Sequence, residues 1–186
     1  MRFAALLLLC CACGTYSHLR PADNLRSGRV EVSAGFAAST LPEVVPVVQG
    51  AVGITDWLEL EAQYEVYSAL GELRFGILRS ETSAVALSVG VGGGMASVWQ
   101  DLGGDDNFRD GAVLGDVVVG KRWPAVEIYL ADRAIVLLST GYTINAVKAG
   151  VRFRFRGAHL GLEGGVTTHH SFIALGEGTA FVGFIL

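Results

Sequence analysis

Four stretches hold residue types that could do chemistry. In "TTHHSF", His169 and Ser171 stand two apart, and residues i and i+2 of a strand share a face. An imidazole there could take the hydroxyl proton and turn Ser171 into a nucleophile, with Glu177 following nearby. "DLGGDDNFRD" gathers Asp101, Asp105, Asp106 and Asp110, oxygen donors that could hold calcium, although the spacing is not that of a helix–loop–helix site. A solvated acidic loop is the competing reading. "GDVVVGKR" supplies Gly115, Gly120 and Lys121, the start of a phosphate cradle. Arg122 stands where Ser or Thr would hold magnesium, the residues between are β-branched, and no helix follows. The glycines of "GVGGGM" (90, 92 and 94) alternate, which leaves room for bulky neighbours on one face better than it cradles a dinucleotide. None of these stretches implies a cofactor.

The elements that would position them are strands. The 186 residues suit one domain, and 51% are hydrophobic, yet no run beyond the N-terminus reaches the roughly 18–20 apolar residues a membrane helix needs. Net charge is −4, and basic residues do not cluster beside aromatics, which argues against nucleic acid as a partner. Period-two alternation recurs in ten segments, at about 29–39, 46–54, 57–67, 71–79, 84–98, 111–122, 126–138, 143–156, 159–168 and 174–186. Short turns ("TDW", "RSETS", "RWPA", "GA") alternate with longer or more irregular connections, as in an antiparallel up-and-down meander.

The polar faces decide what such a meander is. Leu58, Leu60, Ala62, Tyr64 and Val66 fall opposite Glu59, Glu61, Gln63 and Glu65; Val151, Phe153 and Phe155 fall opposite Arg152, Arg154 and Arg156. A water-soluble barrel would bury the apolar side. The inverse, apolar outside and charged inside, is the transmembrane β-barrel pattern, and closure satisfies every backbone group that hydrocarbon cannot. An all-β barrel of ten strands is therefore expected, with an interior ion-pair network of Arg152, Arg154 and Arg156 with Glu31, Glu59, Glu61, Glu127 and Glu163. A tight turn at Gly157–Ala158 would set Arg152 against Glu163. Trp57, Trp123, Phe153 and Phe155 fall near one rim, and Tyr64 and Trp99 near the other, as two interfacial girdles. Asp132 has outward parity at mid-membrane. A bulge near 131–133 would rescue it, and an eight-stranded barrel with a strand break is the alternative.

"GITDWLEL" resembles the glycine–aliphatic–Thr–Asp–x–Leu–Glu–Leu turn of small outer-membrane β-barrel proteins of Gram-negative bacteria. "AFVGFIL" is similar to their C-terminal strand signal, although it ends in Leu rather than an aromatic. That resemblance implies an outer-membrane location, lipid and lipopolysaccharide as neighbours, barrel-insertion machinery as a partner, and both termini in the periplasm. It leaves the activity open between structural, surface-interaction and narrow-channel roles, the last with a small solute. His169 and Ser171 also look like the His–x–Ser pair of outer-membrane lipid A deacylases, which would make Glu177 the orienting acid, but Phe172 stands where that family has Asn.

All three cysteines lie in "MRFAALLLLCCACGTYSHLRP". Arg2, the apolar run Phe3–Leu9 and the small-residue cluster read as an export signal over 1–12. The cluster resembles the lipobox of bacterial lipoproteins, which implies acylation at Cys13, or alternatively Cys11. Residues 13–27 are then expected as a periplasmic linker and 28–186 as the barrel.

Overall fold

The computed structural model describes residues 17–39, 44–66, 68–99, 107–169 and 173–186. Ten strands run in chain order: β1 Val30–Ser39, β2 Val44–Gly53, β3 Leu58–Glu65, β4 Ser68–Leu78, β5 Ala86–Trp99, β6 Asn107–Arg122, β7 Val126–Leu137, β8 Thr143–Arg154, β9 Ala158–His169 and β10 Ile173–Ile185. Each pairs antiparallel with its sequence neighbour, and β1 pairs with β10, from Glu31↔Ile185 to Ser39↔Glu177. The barrel is closed, so no edge is left unpaired. Ten strands stand, and the eight-stranded alternative is ruled out.

The alternation read from the sequence is the alternation of the wall. Leu60, Tyr64, Ile128, Leu130, Phe153 and Phe184 are exposed, while the residues between them are buried. Trp57, Trp123 and Phe155 are exposed at the short-turn rim, and Trp57 stacks on Phe75 at 6.1 Å between ring centroids. Tyr64 is exposed near the other end.

Three local expectations change. β4 begins at Ser68, inside the "SALG" stretch expected as a connection, because Ser68 pairs with Glu65 and Ala96. β6 begins at Asn107, four residues early; residues 107–111 pair with β5 before β7 joins at Ala112, so the β5–β6 hairpin stands above its neighbours. The β8–β9 turn is centred one residue earlier than expected, with Phe155 donating to the Ala158 carbonyl at 2.8 Å and Gly157 at φ 69°. A left-handed φ is cheap only without a Cβ, so Gly157 fixes the turn. The register shifts by two residues as a result: Arg152 faces Gly161, and Glu163 faces Gly150. A shift of two keeps every side chain on its expected face.

Asp132 points outward with no bulge to rescue it, since β7 pairs without interruption with both β6 and β8. Its partner is lateral instead. The Asn145 side-chain amide, oriented to donate, reaches Asp132 Oδ1 at 3.0 Å on the same outer face.

Candidate functional site

Among the described residues the interior has a charged half and an apolar cluster. In the half nearer the short turns, strand-borne carboxylates face inward from every side, among them Glu31, Glu59, Glu61, Glu72, Asp116 and Glu163. Arg74, Arg133, Lys148 and Arg152 answer them from the wall. Arg74 Nη2 lies 3.3 Å from Glu61, 3.2 Å from Glu72 and 3.2 Å from Asp116; Arg133 reaches Glu72 at 3.0 Å and Asp116 at 3.3 Å. Arg152 pairs with Glu31 at 3.0 Å and lies over the Phe181 ring.

A further cation comes from outside the wall. Residues 17–25, expected within a periplasmic linker, thread through the barrel and are buried throughout. Arg20 binds Glu31 at 2.7 Å and Glu59 at 2.6 Å, with Glu61 at 3.8 Å. A linker in water would leave these carboxylates without that counter-ion, whereas threading neutralises them and satisfies the segment's own backbone. The Glu163 carboxylate accepts from the His18 and Leu19 amides at 2.8 and 3.0 Å, and from the Tyr129 hydroxyl at 2.8 Å. Successive N–H groups converging on one anion form a nest, which needs a residue at positive φ; here it is Leu19, at 56°. The Leu19 carbonyl accepts from Arg152 at 2.6 Å, so both sides of that residue are pinned.

Further contacts fix the rest of the segment. The Ser17 amide donates to Glu65, and its carbonyl accepts from Gln63 at 2.8 Å and Arg133 at 3.2 Å. The Leu25 amide donates to Glu59 at 2.6 Å. Asn24 donates to the Arg74 carbonyl, and Asp23 accepts from the Ser80 amide. Arg74 Nη2 lies 3.1 Å from His18 Nε2; a guanidinium only donates, so Nε2 accepts and Nδ1 carries the proton, facing Asp116 at 3.4 Å. At the rim, Arg26 pairs with Glu81 at 2.6 Å in the open, and that hydrogen bond and charge raise its pKa.

The expected site residues are distributed as follows. Glu31, Glu59, Glu61, Glu127, Arg152 and Glu163 are all in the buried network, but Glu163 holds the threaded segment rather than Arg152. Arg154 is half-buried, 3.6 Å from Glu127, and Arg156 is exposed in the β8–β9 turn, past the end of the strand. Glu177 is buried and paired with Lys148. It stands four residues below Ile173, the register partner of His169, about 13 Å along the strand, which separates it from an acid's place beside that histidine. Ser171 and the His169 side chain lie outside the described residues, as do Cys11, Cys13, Asp101, Asp105 and Asp106. Asp110 caps the β7–β8 turn, accepting from the Ser139 amide at 2.8 Å and its hydroxyl at 2.6 Å. Gly90 leaves the space that Glu72 and Asp116 occupy, and Lys121 donates to the Ser80 and Ser83 carbonyls at the rim. Among the described residues no group of His, Cys, Asp and Glu has the arrangement of a metal site.

Ser17, His18 and Arg20 were missed as lumen residues. The available signal was a charge imbalance: inward parity gives the strands more carboxylates than cations, and Arg20, Arg26 and Arg29 lie ahead of the first strand.

No family model matches the chain, and no curated protein does. Among solved structures it is similar to a loop-deletion mutant of OmpT, an outer membrane protein of Vibrio cholerae. The identity is 9%, the match covers 85% of this chain and 98% of that one, and the TM-score is 0.27. A likeness of that size bears on neither family nor activity, and the barrel assignment rests on the strand pairing above.

Proposed function

We propose that the protein is an outer-membrane β-barrel that its own N-terminal segment closes, acting as a structural or surface-interaction component and not as an open channel. The observation that carries this is the burial of residues 17–25 inside the charged half of the lumen, with Arg20 held between Glu31 and Glu59. The apolar outer wall, the rim aromatics and the closed backbone support a membrane setting. Lipid and lipopolysaccharide are then its neighbours, insertion machinery its assembly partner, and the short-turn rim, where Leu186 pairs with Val30, its periplasmic end.

Membrane fractionation with an unheated and a heated detergent gel tests the setting. The chain is expected in the outer-membrane fraction, with a mobility that changes on heating. Recovery in the soluble fraction with identical mobility would refute it.

A further inference from the structure

The short-turn rim carries cations that the barrel's own carboxylates leave uncovered. The chain into the β6–β7 turn reads Lys121, Arg122, Trp123, and that into the β8–β9 turn Arg154, Phe155, Arg156. The two turns are neighbours: Val126 pairs with Phe153, and the Arg154 amide donates to the Ala125 carbonyl at 2.9 Å. On the other side, Lys121 Nζ donates to the Ser80 and Ser83 carbonyls at 3.2 and 3.0 Å, so the β4–β5 turn with Arg79 belongs to the same arc.

Charge along this arc is not balanced. Arg122, Arg152 and Arg154 all share the one carboxylate of Glu127, at 3.7, 3.8 and 3.6 Å. Glu81, the exposed acid of the arc, is already paired with Arg26 at 2.6 Å and Arg122 at 3.2 Å. Lys121 meets only neutral carbonyls, and neither Arg79 nor Arg156 has an ion-pair partner among the described residues. The chain as a whole is acidic, so this surplus is local; the β5–β6 connection and the start of β6, at the opposite end, carry Asp101, Asp105, Asp106 and Asp110 against Arg109.

The height of the arc identifies what covers it. Trp123 and Phe155 are exposed, and aromatics at the rim of a membrane barrel mark the depth at which headgroups begin. The cations flank those rings in the chain. Below them the outer wall turns apolar at once: Lys121 shares its outward parity with Val119, two residues or about 7 Å further along the strand, and its register partner is the exposed Ile128. A soluble acidic partner would meet cations standing clear of the girdle, whereas these are level with it.

We propose that Arg79, Lys121, Arg154 and Arg156 bind the phosphate headgroups of anionic phospholipid in the leaflet at the short-turn rim. This rests on the membrane-barrel reading. Lys121 and Arg156 give up no internal ion pair in doing so, and the phosphates supply the negative charge that Glu81 and Glu127 are too few to provide.

The test reconstitutes the full chain in phosphatidylcholine vesicles and compares quenching of tryptophan fluorescence by brominated phosphatidylglycerol and by brominated phosphatidylcholine; a heat-dependent gel shift selects folded material. One cation near an anionic surface is worth about fivefold in association, so the unaltered chain is expected to favour the anionic lipid by at least that factor at low ionic strength, and by less at high salt. Lys121→Gln/Arg154→Gln/Arg156→Gln is expected to lose the preference, and Arg109→Gln, at the opposite end, to keep it. Gln at 121 retains a donor for the Ser80 and Ser83 carbonyls. Should the triple variant not fold, Arg156→Gln alone, which alters only an exposed turn residue, is expected to lower the preference. Equal quenching by the two lipids, a preference that survives in these variants, or an equal fall in Arg109→Gln overturns the proposal. Inorganic phosphate is expected to leave the preference where chloride of the same ionic strength leaves it; its loss in phosphate alone would make the arc a free-anion site and overturn the lipid assignment. Quenching by neither lipid would be a different failure, that of the membrane setting itself, and the proposal would fall with it.

Discussion

Replacing Arg20 by Met should release the threaded segment while leaving the barrel intact. Arg20 is the counter-ion of Glu59, shares Glu31 with Arg152 and lies within 4 Å of Glu61, all of them buried. Removing one partner of a buried pair costs about 3–5 kcal/mol, because the orphaned charges remain out of water. The penalty falls on the threaded state alone: once the segment leaves, water enters and the carboxylates are hydrated. At about 1.4 kcal/mol per tenfold, the released population should rise by roughly two to three and a half orders of magnitude. Hydrogen exchange reads this through local opening. The Ser17, His18, Leu19 and Leu25 amides, bonded to Glu65, Glu163 and Glu59, should lose that much protection while the strand amides keep theirs. Adding Glu59→Gln should restore part of it. Protection unchanged within tenfold in Arg20→Met, or strand amides falling in step with the segment, would refute the reasoning.

Other substitutions separate wall from interior. Asp132→Leu removes an outward carboxylate from the apolar face and should raise stability by about 1–2 kcal/mol in denaturant unfolding from lipid vesicles, less than the 2–4 kcal/mol measured for central cations. Gly161→Val sets a side chain against the Phe181 ring and should lower stability by about 1–3 kcal/mol in the same assay. Arg26→Ala breaks only an exposed pair with Glu81 and should leave the unfolding midpoint where it is.

The wall was legible in the sequence because a closed barrel repeats one rule, a period of two, in every strand. Leu58–Glu65 shows it without a slip, and β3 occupies those residues. Parity also survived the misplaced β8–β9 turn, since a two-residue shift moves Arg152 from Glu163 to Gly161 without turning it outward. What resisted reading were features with no period. Residues 17–25 form no strand or helix; they are ordered by side chains distant in sequence, with Glu163 lying 145 residues from His18. The inward apolar cluster around Leu70, Leu114, Ile135, Leu137 and Ile144 was hidden for a related reason. Ile135 and Leu137 have inward parity, but in the run "AIVLL" apolar residues occupy both faces, so alternation does not mark the inward ones. Asp132 was read outward correctly, while its lateral Asn145 partner depends on a diagonal across β7 and β8.

Conductance across a planar bilayer tests the central claim most directly, comparing the full chain with a variant lacking Ser17–Leu25. The full chain should insert without steady conductance. The deletion variant, whose carboxylates then face water without Arg20, should open a cation-preferring pore. Steady conductance by the full chain equal to that of the deletion variant would contradict the claim that the segment closes the barrel.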